Sequence, residues 1–328
     1  MPLPRRALLS SAVPSLALWA TGCGFGRRPA PPLRMVVTPW VGNTPLYIAK
    51  DLHLFGETEL RIASFGTDFD AWRALGDGRA DFTSGTLIDI LRGSDIGVGM
   101  KVVAAVDFSN GADGIVAREG IDDLADLAGT RVAVEVGTLT HFMVIRALER
   151  TGLGEDDVKI VNLSMEEALR AFEADEIDAA AFWEPFLGKA ATGGRRTIFT
   201  SREIPGEILD VLAVREGFLA EHREQVEALL DGWERGLRLL REQPEEGAVL
   251  AARYLAMTPD ELGEALDGIQ LVSLADNIRL FDRATPGSIW ETHESATAFM
   301  RKHDILTRAP RPAEALFEPG LVRRPPPP

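Results

Sequence analysis

The chain has 328 residues, about twice the length of a typical single domain, and 26% of its residues are charged. Together with 45% hydrophobic residues, this composition excludes a disordered chain, a collagen-like repeat and a polytopic membrane protein. The net charge of −15 argues against binding to nucleic-acid phosphates, and one cysteine excludes an internal disulfide or a cysteine-based metal site. We therefore expect an acidic protein with two lobes.

The N-terminal segment has the pattern of an export signal. Arg5 and Arg6 precede an apolar run that is too short to span a membrane and that ends in small residues. The segment Ala20-Thr21-Gly22-Cys23 resembles the lipobox of bacterial lipoproteins, although that pattern prefers leucine where Ala20 stands. The resemblance implies that 1–22 is a signal peptide and that Cys23 is lipidated. The protein would then be exported, by the general or the twin-arginine route, to the periplasm or cell surface and anchored to the membrane.

Short strands and amphipathic helices alternate through the chain after a proline-rich tether at 23–32. The predicted strands lie at 33–37, 60–62, 80–86, 101–105, 131–135, 158–161, 177–182, 197–199 and 209–214. The predicted helices lie at 45–50, 68–76, 165–174, 219–241, 244–254, 259–266 and 290–303. A further helix is predicted to follow the turn at 137–140 and to end at 150. This alternation predicts an α/β fold with buried sheets, in which ligands bind at the carboxyl ends of the strands.

Six segments, taken in order, resemble the periplasmic substrate-binding proteins of ABC importers for nitrate, sulfonates, taurine and thiamine-precursor pyrimidines. They are Trp40-Val41-Gly42, GRADF at 78–82, DFSNGADGI at 107–115, DLAGTRVAV at 126–134, GT at 137–138 and DAAAFWEP at 178–185. The resemblance implies an α/β type II periplasmic-binding-protein fold, with two α/β lobes around a hinged ligand cleft. It places the crossings between the lobes near Val116-Ala117-Arg118 and Val214-Arg215.

The same resemblance implies a domain organisation and a function. Lobe 1 is expected to contain 33–118 and 214–300, lobe 2 to contain 119–213, and 301–328 to form an extension with a proline-rich tail. The implied function is a monomeric, non-enzymatic solute-binding component without a cofactor. It would deliver a small organic anion or zwitterion, such as a sulfonate, taurine or nitrate, to a membrane permease. The alternatives are a binding protein for a thiamine-precursor pyrimidine, an enzyme on the same fold, and a sensor domain.

Two polar turns after strands are candidate anion-binding elements. Gly137 and Thr138 precede a helix, where free backbone N–H groups and a hydroxyl suit an anion, and Ser84 and Thr86 raise the same expectation in the other lobe. The alternative is that these residues only cap helices. His141 follows as a possible donor to the ligand or as a packing residue. Because the histidines have no paired spacing, no metal site is predicted.

Three aromatic residues at strand ends are candidate walls of the cleft. They are Trp40, Phe108 and Trp183, and the turn glycine Gly42 near Trp40 is a candidate as well. Small-molecule sites are usually built from apolar walls with a few polar groups, although large aromatic rings also fill cores.

Glu184 and Asp210 would decide the class of ligand if they point into the cleft. A carboxylate repels a bound anion and attracts an ammonium group or an aminopyrimidine. Beside the turn at Thr138, Glu184 would favour a zwitterion such as an aminosulfonate. The alternative is that both carboxylates bond to the backbone near the hinge.

Overall fold

A computed structural model describes residues 31–322 of the chain. The predicted signal peptide, Cys23, all but the end of the tether and the proline tail lie outside these residues. Within 31–322, no helix has the length and apolar character needed to cross a membrane.

Two mixed α/β lobes are built from elements that follow the predicted alternation. Within the described range the strands are β1 Leu33–Val37, β2 Leu60–Ser64, β3 Phe82–Thr86, β4 Met100–Ser109, β5 Asp113–Ala117, β6 Arg131–Val134, β7 Lys159–Asn162, β8 Ala179–Trp183, β9 Arg196–Thr200, β10 Leu209–Arg215 and β11 Ile269–Leu271. The helices are α1 Thr44–Asp51, α2 Asp68–Gly76, α3 Leu87–Asp95, α4 Leu139–Glu149, α5 Met165–Glu173, α6 Phe186–Ala190, α7 Glu216–Glu221, α8 Arg223–Glu242, α9 Pro244–Ala251, α10 Pro259–Leu266, α11 Leu274–Leu280, α12 Ile289–Lys302 and α13 Ala313–Leu316.

The first lobe contains a six-stranded sheet in the order β11-β4-β10-β3-β1-β2. Strand β1 is parallel to β2 and β3, whereas β10 runs antiparallel between β3 and β4. The carboxyl ends of β1, β3 and β4 and the start of β10 therefore meet at one edge of the sheet. Helices α2 and α3, which start just beyond this edge, begin with side-chain caps from Thr67 and Thr86.

The second lobe contains a five-stranded sheet in the order β7-β6-β8-β5-β9. Because β5 and β9 belong to this sheet, the chain crosses between lobes at 110–112 and 201–208. These crossings differ from the predicted ones at 116–118 and 214–215, so lobe 2 begins and ends earlier than expected. Strand β5 was not among the predicted strands, and its pairing with β8 places Val116 inside the second sheet.

The two crossing segments are joined by one hydroxyl group. The Ser201 Oγ lies 2.8 Å from the Ser109 Oγ and accepts a 2.6 Å hydrogen bond from the Gly111 N–H. Ser201 itself is fully buried. The two crossing segments are thus hydrogen-bonded to each other.

The core of each lobe lies between its sheet and the surrounding helices. Strands β5 and β8 are buried along their whole length, as parallel and central strands generally are. In the first lobe α8 packs so closely on α1 that a Cβ on Gly236 would lie 2.1 Å from the Pro45 carbonyl oxygen. The long helix therefore needs a glycine at this position.

Candidate functional site

A cavity lies between the facing edges of the two sheets. The cavity volume is about 20 Å³, which is room for about one water molecule, so the two lobes stand close together around it. The residues that line it are Thr38, Trp40, Asp68, Ser84, Gly85, Thr86, Asp89, Asp113, Leu139, Trp183 and Asp210. Both lobes contribute, so closure of the lobes completes the cavity.

Five of the residues predicted for the ligand site line this cavity: Trp40, Ser84, Thr86, Trp183 and Asp210. They are brought together because strand ends from both sheets meet at the cleft. The cavity is lined by four aspartates in all, Asp68, Asp89, Asp113 and Asp210, of which only Asp210 was a predicted ligand-binding residue. Of the described residues that line the cavity, none is arginine, lysine or histidine.

Neighbouring strands place two carboxyl groups side by side. In the antiparallel register, Asp210 of β10 stands opposite Asp107 of β4 on one side and opposite Thr86 of β3 on the other. Directly opposed residues of antiparallel strands project their side chains from the same face, and like charges there destabilise the pair. The two aspartates are 4% and 0% exposed, so water screens their repulsion poorly.

Trp40 connects this carboxyl pair to the wall of the cavity. Its Nε1–H donates a 3.0 Å hydrogen bond to Asp107 Oδ2. A Cβ on Gly42 would lie 2.0 Å from the same oxygen and 2.3 Å from the indole nitrogen. Gly42 is therefore required for this contact and does not itself line the cavity.

Burial raises the pKa of every carboxyl group in this cluster. It raises the pKa of Asp107 to about 8, that of Asp113 to about 7 and that of Asp89 to about 6. Burial, followed by neighbouring carboxylates, holds the pKa of Asp210 and of Asp68 well above the ordinary range. Among residues 31–322, no three acidic, histidine or cysteine side chains form a group that could hold a metal ion.

These pKa shifts predict how stability depends on pH. The carboxyl groups bind protons more tightly in the folded protein than in the unfolded chain, so the free energy of unfolding of ligand-free protein should fall as pH rises. The fall should begin near pH 4, about the unfolded pKa of aspartate. It should continue to about pH 8, the folded pKa of Asp107, with a slope of at most about 1.4 kcal/mol per pH unit for each group.

Urea unfolding between pH 5 and pH 8 measures this effect. We expect the variant Asp107→Asn to show a flatter profile, because its amide oxygen still accepts from Trp40 but no longer titrates. A wild-type stability that increases across this interval would contradict the raised pKa values.

Several polar atoms at the cavity lack a partner among the described residues. Neither carboxyl oxygen of Asp113 has a hydrogen-bond partner of good geometry, although the nearby Ser109 hydroxyl partly offsets the rise that burial causes in the pKa of Asp113, and the Oγ of Ser84 is unpaired as well. Asp113 is 1% exposed and Ser84 is 4% exposed. Leaving such a group unbonded typically costs about 1–3 kcal/mol, so these atoms are suited to pairing with a ligand or with water.

The predicted anion-binding turn at the start of α4 is arranged differently from the expectation. Thr138 Oγ1 donates to the Glu135 carbonyl oxygen at 2.8 Å, and the Gly137 N–H points to His141 Nδ1 at 3.3 Å. His141 Nε2 pairs with Glu155 at 3.0 Å. None of the three predicted residues of this turn lines the cavity, because their polar groups satisfy one another locally.

A carboxylate of the other lobe lies at the start of α4 instead. Asp89 of α3 accepts a 3.1 Å hydrogen bond from the Leu139 N–H through Oδ1. Its Oδ2 accepts a 2.5 Å bond from Thr86 Oγ1. Asp89 is 5% exposed, so this contact between the lobes is buried.

Trp183 forms a second link between the lobes. Its Nε1–H donates a 2.8 Å hydrogen bond to the Pro39 carbonyl oxygen, and its side chain stands opposite Asp113 in the register of β5 and β8. Glu184, the next residue, lines a neighbouring groove and accepts a 3.2 Å bond from the Gly188 N–H. Its contact is thus with backbone, which was the alternative to a ligand contact.

Phe108 does not line the cavity and instead faces a separate groove that also includes Phe142 and Phe299. Successive residues of a strand face opposite sides of a sheet, so only one of Asp107 and Phe108 can face the cleft edge. Asp107 is fully buried and bonds to Trp40 of the cavity wall.

The sequence is similar to one protein family and to several curated proteins. The sequence model of the family described as NMT1/THI5 like matches residues 40–247. A binding protein of Brucella abortus is 25% identical over 184 residues, which are 53% of this chain and 56% of that protein. The chain therefore spans about half the length of the curated relatives it matches. The taurine-binding periplasmic protein of Escherichia coli is 31% identical over 121 residues, 36% of this chain and 37% of that protein.

Solved structures establish the fold. The alkanesulfonate-binding protein SsuA of Xanthomonas axonopodis pv. citri superposes with a TM-score of 0.72 at 19% identity, covering 88% of this chain and 99% of that one. The predicted type II periplasmic-binding-protein fold is thereby confirmed. A desulfurization enzyme, DSZB, shares the fold with a TM-score of 0.64 at 16% identity, covering 88% of this chain and 97% of that one. The fold alone thus does not separate binding from catalysis.

Proposed function

The chain belongs to the NMT1/THI5-like family, and from that premise we propose that it is the solute-binding component of an ABC importer for a small solute carrying an amine or another cationic group. The solute would lie in the cavity between the lobes and be passed to a membrane permease. The named relatives that are binding proteins support the transport role.

The charge of the cavity carries the proposal for the ligand. Four aspartates line the cavity, and no cationic side chain of a described residue does. The unpaired oxygens of Asp113 can accept N–H donors from a ligand, which an ammonium, amidine or aminopyrimidine group supplies. A cationic ligand would also favour ionisation of the buried carboxyl groups, whose pKa values burial raises, whereas a bare anion would disfavour it further.

A zwitterionic aminosulfonate is the second candidate. The unpaired Ser84 hydroxyl could donate to a sulfonate oxygen while the aspartates bind the amine. Relatives named for taurine and for aliphatic sulfonates support this version. A plain sulfonate or nitrate fits the acidic walls less well than either amine-bearing class.

The proposal includes the location of the protein. As a component that captures solute for a permease, it would act outside the cytoplasm as a monomer, and a lipid on Cys23 would hold it at the membrane. The export signal and the lipobox-like segment support this location. Labelling with a radioactive fatty acid in the native host would test the anchor, with Cys23→Ala as the unlabelled control.

Calorimetric titration with matched pairs of compounds tests the ligand class. Taurine carries an ammonium group where isethionate carries a hydroxyl group. In the second pair, 4-aminopyrimidine carries an amino group that pyrimidine lacks. We expect the amine-bearing member of at least one pair to bind the purified protein at least ten-fold more tightly than its partner. A loss of one charge-assisted hydrogen bond of about 1.5–3 kcal/mol corresponds to that ratio or more.

Two results would reject the proposed ligand. One is binding of isethionate or nitrate at least as tight as that of any amine. The other is absence of binding for all amines, including the diamine putrescine. Turnover of a bound compound, followed by mass spectrometry of the recovered ligand, would favour the enzymatic alternative instead.

A further inference from the structure

The start of α4 is the place in the cleft where the backbone is best suited to an anion. This helix spans Leu139–Glu149, and no side chain of Thr138 caps it. The free N–H groups and the helix dipole at such an end attract negative charge. Leu139 also lines the cavity, so the helix end faces the space proposed for the ligand.

Asp89 occupies this position. Its Oδ1 accepts from the Leu139 N–H at 3.1 Å, while Thr86 holds Oδ2 at 2.5 Å and the Asp89 N–H donates to Thr86 Oγ1 at 3.1 Å. The carboxylate is therefore fixed by its own helix α3 and presented to the opposite lobe. It thereby occupies a helix end of the kind that attracts an anion.

A second observation indicates that the surrounding space is meant for a ligand. Ser84 and Asp113 line the same cavity, are each more than nine-tenths buried, and have side-chain oxygens without partners among the described residues. These unpaired groups face the space beside the Asp89 carboxylate. The cavity therefore has unpaired polar groups at Ser84 and Asp113, whereas the Leu139 N–H at the helix end is already paired with Asp89.

We propose that Asp89 is a specificity-determining residue that excludes anionic ligands by filling the anion position at the start of α4 with a carboxylate of the protein itself. The inference rests on the proposed function in that it takes this cavity to be the ligand site. It would account for a difference in ligand between this chain and relatives named for aliphatic sulfonates. Removing the carboxylate should reopen the site to sulfonates.

The test is titration of wild type and Asp89→Ser with methanesulfonate, the smallest sulfonate. We expect Asp89→Ser to bind it at least about ten-fold more tightly than the wild type does, from the dipole and the freed N–H. Asp89→Asn keeps the size of the side chain and its accepting oxygen, so it should gain little. Asp68→Ser is the matched control, because it removes a buried carboxyl from the same cavity without touching α4.

The outcomes separate this inference from the proposed function. If the wild type binds amines and Asp89→Ser gains no sulfonate binding, the inference is overturned and the function stands. If Asp89→Ser gains sulfonate binding while the wild type binds no amine, the inference stands and the ligand proposal fails. Equal gains in Asp89→Ser and Asp68→Ser would assign the effect to net charge and would also overturn the inference. Circular dichroism melting confirms that each variant is folded, and Asp89→Ala replaces the serine variant if it is not.

Discussion

Asp210→Asn is expected to weaken binding of the amine ligand by at least about 100-fold and, at the same time, to stabilise the ligand-free protein at pH 8. The loss of affinity follows from removing one partner of a buried charge pair, which costs about 2–5 kcal/mol. The gain in stability follows because burial and the neighbouring Asp107 raise the pKa of Asp210, so its ionised form is unfavourable in the empty cavity. Titration calorimetry and urea unfolding on the same preparation measure both effects.

The control for Asp210→Asn is a buried aspartate outside the cavity. Asp178 accepts from Arg131 at 3.1 Å, and this bond lowers the pKa of Asp178. Its ionised form therefore contributes stability that is present above the unfolded pKa and is lost as the pH falls toward the folded pKa. Asp178→Asn should destabilise the protein at pH 8 and leave ligand affinity unchanged. If Asp210→Asn also destabilised it, the carboxyl pair would be a structural feature and not a binding element.

The second large effect is expected from Trp183→Ala. The indole lines the cavity and bonds to the Pro39 carbonyl oxygen of the opposite lobe, so its loss removes a wall and a contact that accompanies closure. We expect ligand affinity to fall by at least about 50-fold, in the range found for buried tryptophan anchors. The free energy of unfolding should fall less, because part of the burial of this ring depends on closure of the lobes and not on the core of one lobe.

Trp183→Phe separates the two contributions of this residue. Phenylalanine keeps an aromatic wall but has no N–H for the Pro39 carbonyl, so affinity should fall by less than ten-fold. Small-angle scattering with and without ligand shows whether closure is impaired. A stability loss of about 3–5 kcal/mol in Trp183→Ala with unchanged affinity would place the ring in the core and contradict its proposed role.

Local patterns predicted the elements better than their partners. Helix α2 was predicted with its observed bounds at 68–76, because its capping residue and amphipathic spacing are visible in the sequence. The crossing segments were misplaced because β5 was not predicted as a strand and because its pairing with β8 joins residues far apart in the chain. Hydrophobicity cannot reveal that pairing, since both strands are buried on both faces.

The residues of the candidate site show the same contrast between local patterns, which could be predicted, and contacts between distant residues, which could not. Trp40, Trp183 and Asp210 were recognisable as polar or aromatic residues at the ends of strands. In the sequence, Asp89 has the position of the usual acidic residue three places after a threonine cap. Its other partner, Leu139, lies in the opposite lobe, so this contact could not be seen from the local sequence. Asp107 became important only through its register opposite Asp210, which no single-sequence pattern encodes.

Once the pH rises past about 7, where Asp89 and Asp113 ionise, the aspartates around the cavity also have a kinetic consequence. A concave surface of one sign, in a chain of net charge −15, concentrates mobile cations at its mouth and speeds the diffusional encounter with a cationic solute. Sodium and other environmental cations gather there by the same attraction, and the Debye length shortens from about 10 Å at 0.1 M to about 3 Å at 1 M salt. Capture would therefore be fastest in dilute surroundings and slow down in brine, through the association rate more than through residence time.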